Sequence, residues 1–251
     1  MESTYGGRDQ PAPATDLAQQ LEGAIRRALR DGGQILVPTF AIGRAQVLLY
    51  LLNELVEAGR IPALPVAVDT PMGLAITDAY QRFRKLYDRE ALAKLERGDD
   101  PLNFDELYAV REAKFSQRLD EVTSPVLILA GSGMCTGGRI LGHLKNLLPR
   151  PETDVIFVGY QAEDTPGARI QRIGEERARG QQAHTVPTVL LDGESVEVRA
   201  HITTLKGISA HADRAELLGW LGHIPGVKTA ALHHGDRAAQ EAFRIYAESR
   251  V

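Results

Sequence analysis

Histidines gather toward the carboxyl end of this chain. Of seven in 251 residues, five lie between positions 201 and 234, and four of these (His201, His211, His233 and His234) fall within or just before the turns described next. The turns Lys206-Gly207-Ile208-Ser209-Ala210-His211-Ala212-Asp213-Arg214 and His233-His234-Gly235-Asp236 are separated by a short amphipathic stretch and the apolar run Val227 to Leu232. One helix and one strand between two turns can return both to the same sheet edge. Imidazole is the commonest metal ligand and the side chain that titrates nearest neutrality, so the chemistry open to such a cluster is zinc binding or acid–base catalysis. A histidine at a strand end also serves as hydrogen-bonded structure, and spacing alone leaves both accounts open.

Two further stretches have the composition of anion sites. Arg44 opens a helix after the loop Thr39 to Gly43, where its guanidinium and the helix N–H groups can both face a phosphate; a solvated surface arginine is the plainer account. The run Gly131-Ser132-Gly133-Met134-Cys135-Thr136-Gly137-Gly138-Arg139 joins a strand to a helix, and its glycines let the backbone approach an anion closely. It fails as a dinucleotide fingerprint, because three residues separate Gly133 from Gly137 where that pattern leaves two, and the next strand ends in Gly159-Tyr160 without an acid. A phosphate cradle is the better functional reading. Cys135 reads as a small filler with no paired histidine, and Asp69 at a strand end reads as a functional carboxylate or, more plainly, as a cap or turn residue.

The elements that must position these residues follow from periodicity. Residues 9–14 form a connector, and Thr15 caps a helix burying Leu17, Leu21, Ala24, Ile25, Ala28 and Leu29 that ends at Gly32-Gly33. Short apolar runs at 34–38, 65–69, 125–130 and 154–158 read as buried parallel strands, and the segments 44–58, 74–87 and 139–148 as helices between them. Residues 88–120 read as a solvated helical layer broken at Gly98 to Pro101, without chemistry, and 175–184 as a polar, mobile stretch after a short helix. Val186 to Leu191 and Val196 to Leu205 flank Asp192-Gly193 as a β-hairpin, a change of pattern that marks a domain boundary. Helices over 213–221 and 236–249 close the chain, with Leu217, Leu218 and Trp220 supplying apolar surface.

Composition bounds the rest. With 43% hydrophobic and 25% charged residues the chain has ordinary globular chemistry and enough length for one large or two small domains. A net charge of -4 and pI near 6.0 mean that nucleic-acid contact must come from a local basic patch. The single cysteine excludes an intrachain disulfide, and no apolar run or basic-then-apolar leader suggests a membrane span or signal, so a cytoplasmic location is expected.

Ser209-Ala210-His211-Ala212-Asp213 followed by a strand ending in His234-Gly235-Asp236 resembles the closing half of the β-CASP branch of the metallo-β-lactamase fold, RNA-cutting hydrolases that include the cleavage and polyadenylation endonuclease and ribonuclease J. Glu2-Ser3-Thr4-Tyr5-Gly6, Pro38-Thr39-Phe40-Ala41-Ile42-Gly43-Arg44-Ala45-Gln46 and Ser132-Gly133-Met134-Cys135-Thr136-Gly137-Gly138-Arg139 resemble further motifs of that family, in its order and across nearly the whole chain. The resemblance implies an α/β fold: a Rossmann-like parallel-sheet β-CASP domain over 9–195, preceded by a residual strand at 1–8 and followed at 196–251 by the C-terminal part of an αββα metallo-β-lactamase sandwich. It implies zinc-dependent hydrolysis of single-stranded RNA. His234 would be a zinc ligand, and Glu2 and His211 would sit at the scissile phosphate, the carboxylate fixing the tautomer of His211 and raising its basicity. Arg44, Ser132, Gly133, Thr136, Gly137, Gly138, Arg139 and Ser209 would bind RNA.

The chain departs from the family at one point. The His-x-His-x-Asp-His run that supplies most ligands of the family's two-zinc site is missing, and His143, His184, His201 and His223 are isolated. The expectation is an N-terminally truncated form, inactive alone and not fully loaded with zinc, whose strands from 196 onward expose an edge to the missing half or to a second copy. Two other readings stay open: a non-catalytic RNA-binding or interaction module, and a nucleotide-binding domain using the 131–139 loop.

Overall fold

The computed structural model of the protein describes residues 1–9, 16–181, 185–208 and 211–250. The chain divides into two compact units, one comprising Met1–Ala14 with Gly207–Val251 and the other Thr15–Lys206.

The larger unit alternates helices and strands: α1 Leu17–Asp31, β1 Ile35–Pro38, α2 Arg44–Glu57, β2 Val66–Asp69, α3 Pro71–Arg82, α4 Arg89–Glu96, β3 Leu107–Ala109, α5 Ala113–Leu119, β4 Leu127–Ala130, α6 Ile140–Leu147, β5 Asp154–Phe157, α7 Pro166–Ala178, the strands β6 Thr188–Leu191 and β7 Glu194–Glu197, and β8 His201–Thr204. Six strands form one sheet in the order β3-β2-β4-β1-β5-β8, every pair parallel. Every residue of β1, β2, β4 and β5 is buried, which is why these strands read as unbroken apolar runs: helices cover both faces. The core under α6 and α7 joins Leu36, Ile128, Val155 and Phe157 of the sheet to Ile140, Leu144, Ile170 and Ile173 of the helices. Each such aliphatic or aromatic side chain contributes about 1.5–3 kcal/mol by leaving water.

Several boundaries differ from expectation. Asp16 caps α1, its carboxylate accepting from the Gln19 N–H at 2.8 Å, while Thr15 lies outside the described residues. Helix α3 begins at Pro71, inside the expected turn, because Thr70 caps it and proline suits the first helical position. On α2, Val47 is 43% exposed, while Leu48, Leu49, Leu52 and Leu55 face the core. Residues 107–109, expected to be helical, form the edge strand β3 on β2. Helix α7 continues to Ala178, through part of the stretch expected to be mobile. The hairpin β6–β7 forms about Asp192-Gly193, both with positive φ, but the expected long second strand ends at Glu197. After a bend, β8 pairs in parallel with β5.

The smaller unit contains helices α8 Arg214–Gly222 and α9 Arg237–Glu248. Asp213 and Glu216 form a reciprocal capping box on α8, and Asp236 caps α9. Leu217 and Phe243 are its buried apolar residues on these helices, whereas Trp220 is 58% exposed. The run 227–232 is not a strand: its contacts to the amino-terminal segment are a Met1 amine donating to the Ala231 carbonyl at 2.6 Å and an isolated parallel bridge between Glu2 and His233. A β-prone run becomes a strand only where a neighbouring ladder receives it. Among the described residues no helix is long and apolar enough to cross a membrane.

Candidate functional site

In the smaller unit the amino-terminal segment lies beside the His233-His234 turn. The Ser3 N–H donates to the His234 carbonyl at 3.2 Å, and the Ser3 hydroxyl to that of His233 at 3.0 Å. Gly235 permits this approach, since a Cβ there would stand 2.7 Å from the Ser3 carbonyl oxygen. His234 takes a left-handed backbone, φ 56°, and its ring Nδ1 is 3.3 Å from the Thr4 hydroxyl.

These contacts bring together three residues far apart in sequence. Donor atoms of Glu2, His211 and His234 all lie within 4.8 Å of one another. His211 Nδ1 is 3.4 Å from Glu2 Oε2, the rings of His211 and His234 are 5.2 Å apart, and Tyr5 meets His211 edge-on at 5.8 Å. Glu2 accepts from the N–H of Thr4 at 2.9 Å and that of Ala212 at 3.2 Å. Burial favours its neutral form, but the Thr4 and Ala212 donors and the nearby His211 outweigh it and hold the carboxyl below the usual range. One carboxylate and two imidazoles are donors that zinc accepts, and three protein ligands are what a catalytic zinc ordinarily uses. The donor set therefore fits one zinc ion; among the described residues no other cluster of this kind occurs. His233 is exposed, His201 lies on β8, and His223 caps its own helix through Gly219. Ser209 and His184 fall outside the described residues.

In the larger unit the loops after β1 and β4 adjoin at the carboxyl edge of the sheet. The Thr39 N–H donates to the Ala130 carbonyl, and the Phe40 ring fills the space over Gly133, where a Cβ would come within 2.5 Å of it. Arg44 lies 5.2 Å above the same ring, and its Nη1 donates to the Val158 carbonyl at 3.3 Å, passing over Gly159. The loop curls on itself: the Ser132 hydroxyl accepts from the Thr136 N–H at 3.1 Å, and the Ser132 N–H donates to the Gly137 carbonyl at 3.1 Å. Gly138, at φ 76°, is packed so closely on Gly131 that a Cβ would lie 2.5 Å from its carbonyl oxygen. Thr136 and Gly138 are exposed. Cys135 is fully buried and burial pushes its thiol up to about 12, as befits a filler.

Arg139 faces inward. Its Nη1 donates to Asp69 Oδ1 at 2.5 Å and to the Val110 carbonyl at 2.8 Å, and its Nη2 to the Arg111 carbonyl at 2.8 Å. Asp69 is fully buried in this contact, not a cap or turn residue as its position suggested. It also receives the Ser116 hydroxyl and meets His143 Nε2 at 2.8 Å, while His143 Nδ1 meets Asp120 Oδ1 at 2.5 Å. Burial alone would keep His143 neutral, but the carboxylates on both sides prevail and push its pKa up to about 9. Ser116 and Asp120 come from the stretch that read as solvated and without chemistry; His143 read as isolated. No local signal joins them, because the partners come from three elements distant in sequence, β2, α5 and α6.

Residues 45–170 match the Beta-Casp domain. The chain belongs to the β-CASP family. Residues 195–251 match a second family model, the Zn-dependent metallo-hydrolase RNA specificity domain. The chain is similar to ribonuclease TTHA0252 of Thermus thermophilus, 36% identical over 94% of this chain and 50% of the relative. It is also similar to the transcription termination factor FttA of Thermococcus kodakarensis, at 33% identity over 94% of this chain and 36% of the relative, and to FttA of Methanothermobacter thermautotrophicus, at 34% over 100% and 39%. The chain thus spans from about a third to half the length of these relatives.

Proposed function

We propose that this β-CASP chain serves RNA processing as part of a zinc-dependent phosphodiester hydrolase, with the loops of the larger unit binding single-stranded RNA and Glu2, His211 and His234 serving the chemistry. The observation that carries the reading is the convergence of those three side chains to within 4.8 Å, although Glu2 lies near one end of the sequence and the two histidines near the other. Support also comes from the relatives, one of which is a ribonuclease by name.

In this reading His234 is a zinc ligand. Zinc, when bound, supplies an activated water and stabilises charge on the phosphoryl oxygens. Glu2, held by two backbone N–H groups, places Oε2 3.4 Å from His211 Nδ1, which orients the ring. His211 then protonates the leaving oxygen or steadies its developing charge. Arg44, at the start of α2 and over Phe40, offers positive charge at the edge where Thr136 and Gly138 are exposed. Gly133 is buried under the Phe40 ring, and it, Ser132 and Gly137 are carried in this role on the resemblance alone. Ser209 is carried in the same role on the resemblance alone. In these roles only His234 of the three donors is left to the metal, fewer than the three protein ligands a catalytic zinc ordinarily takes, and a pair of ions requires still more than the described residues bring together. That limit favours a second reading, an RNA-binding module without hydrolysis of its own.

Elemental analysis of purified protein, together with incubation of labelled single-stranded RNA with and without added zinc, separates them. About one zinc per chain with cleavage abolished by His234→Ala supports the hydrolase. RNA binding without zinc uptake or cleavage supports the module. Two tightly held zinc ions would contradict the three-donor argument.

A further inference from the structure

A buried assembly of charge lies in neither loop nor metal cluster. Asp69 at the end of β2, Asp120 capping α5, His143 in the middle of α6 and Arg139 at its start form a linear series, Asp120–His143–Asp69–Arg139, whose links are 2.5, 2.8 and 2.5 Å. His143, Asp69 and Asp120 are all buried. Because both ring nitrogens of His143 face carboxylate oxygens, both must donate, and the ring is an imidazolium. The four charges then sum to zero. A neutral imidazole would turn one lone pair on a carboxylate in a buried site, where an unmade bond costs most.

We propose that His143 is a positioning residue for polynucleotide binding: clamped as an imidazolium between Asp69 and Asp120, it holds Arg139 and thereby the Gly131–Gly138 loop in the shape that accepts phosphate. The inference rests on the proposed binding of RNA at that loop. The path is short. Arg139 is the residue on which the loop ends, and its guanidinium reaches the Val110 and Arg111 carbonyls only while Asp69 stays a carboxylate directed at it. The Ile140 N–H closes the loop on the Gly131 carbonyl at 3.0 Å. An uncharged His143 removes the positive neighbour on one side of Asp69, leaving Arg139 as its sole counter-charge in this series and the loop's anchor looser.

The other groups around the ring have no charge change of their own near neutrality. Ser116 from α5 lies 3.5 Å from Nε2, Asn146 of α6 donates to Asp120 Oδ2 at 2.7 Å, and Arg150 donates to the Asp120 carbonyl at 2.9 Å. Cys135, inside the loop, titrates only at about 12. A charge-dependent change in the grip between neutral and mildly alkaline pH therefore reports His143, whose pKa is pushed to about 9.

The test is the affinity of the full chain for a fluorescein-labelled single-stranded oligonucleotide of about 20 nucleotides at fixed salt, from about pH 6.5 to about pH 10, for the native protein, His143→Gln and Asp120→Asn. The native protein is expected to bind evenly at the low end and to weaken about tenfold around a midpoint near pH 9. Asp120→Asn, which removes one carboxylate, should move that midpoint down by about one pH unit or more. His143→Gln should bind about tenfold more weakly at neutral pH and lose the step. An unmoved midpoint in Asp120→Asn overturns the inference, and it decides the matter if His143→Gln does not fold. Failure of the native protein to bind the oligonucleotide at any pH would instead overturn the RNA reading beneath it.

Discussion

His211 Nδ1 stands 3.4 Å from Glu2 Oε2, so a residue one position from the amino terminus orients an imidazole near the carboxyl end. The relationship depends on backbone, not on side chains alone. Glu2 is itself held by the Thr4 and Ala212 N–H groups, and its segment is fastened by Ser3 to His233 and His234.

Where the protein cleaves RNA, His211→Ala should lower kcat by about 10²–10⁴ while RNA affinity changes little, because a proton-transfer group acts in the transition state. Glu2→Gln should follow in the same direction with a smaller loss. Single-turnover cleavage beside equilibrium binding distinguishes the two quantities. Loss of the folded state in His211→Ala, seen by circular dichroism, would remove the assigned role.

Arg44→Ala should weaken single-stranded RNA binding about equally for different sequences and reduce the slope of log affinity against log salt by about 1. Fluorescence anisotropy at several salt concentrations measures both. A sequence-selective loss with an unchanged slope would point away from phosphate.

Gly235→Ala should destabilise the smaller unit by about 1–3 kcal/mol, since the new methyl meets the Ser3 carbonyl, a backbone atom that cannot turn aside. The same variant should separate Glu2 from His234 and reduce zinc uptake. Thermal unfolding and elemental analysis read the two effects.

Stability should also depend on pH through His143. A free imidazole titrates near 6.5 and this one at about 9, so the unfolded chain gives up the proton first as pH rises. The imidazolium contribution, on the order of 3 kcal/mol, is complete below about pH 6.5, declines through the interval and is gone above about pH 9. Denaturant titrations across that interval should show a slope that His143→Gln lacks.

The parallel strands, their intervening helices and the Asp-Gly hairpin were legible because each is written in local pattern: unbroken apolar runs, a 3.6-residue stripe, turn residues with positive φ. Strand β3 was not, since Leu107–Ala109 is a three-residue edge piece with Tyr108 and Ala109 exposed and no alternation to reveal it. Strand β8 was hidden by apparent continuity with β7; only its pairing with β5 separates them. The motifs carried Glu2, His211 and His234 individually, but their meeting required the fold. Asp69 showed only as an acid at a strand end, and His143 and Asp120 had no signal, because a buried ion series leaves no periodicity in sequence. Arg139 was visible as a loop residue, yet its inward direction was not.

The chain's sole cysteine, sealed beneath the loop with its thiol raised to about 12, leaves the molecule ready for labelling without prior removal of native thiols. A cysteine introduced at exposed Ile42 would react alone with a maleimide dye. The attached fluorophore would then report movement at the carboxyl edge of the sheet as polymer arrives.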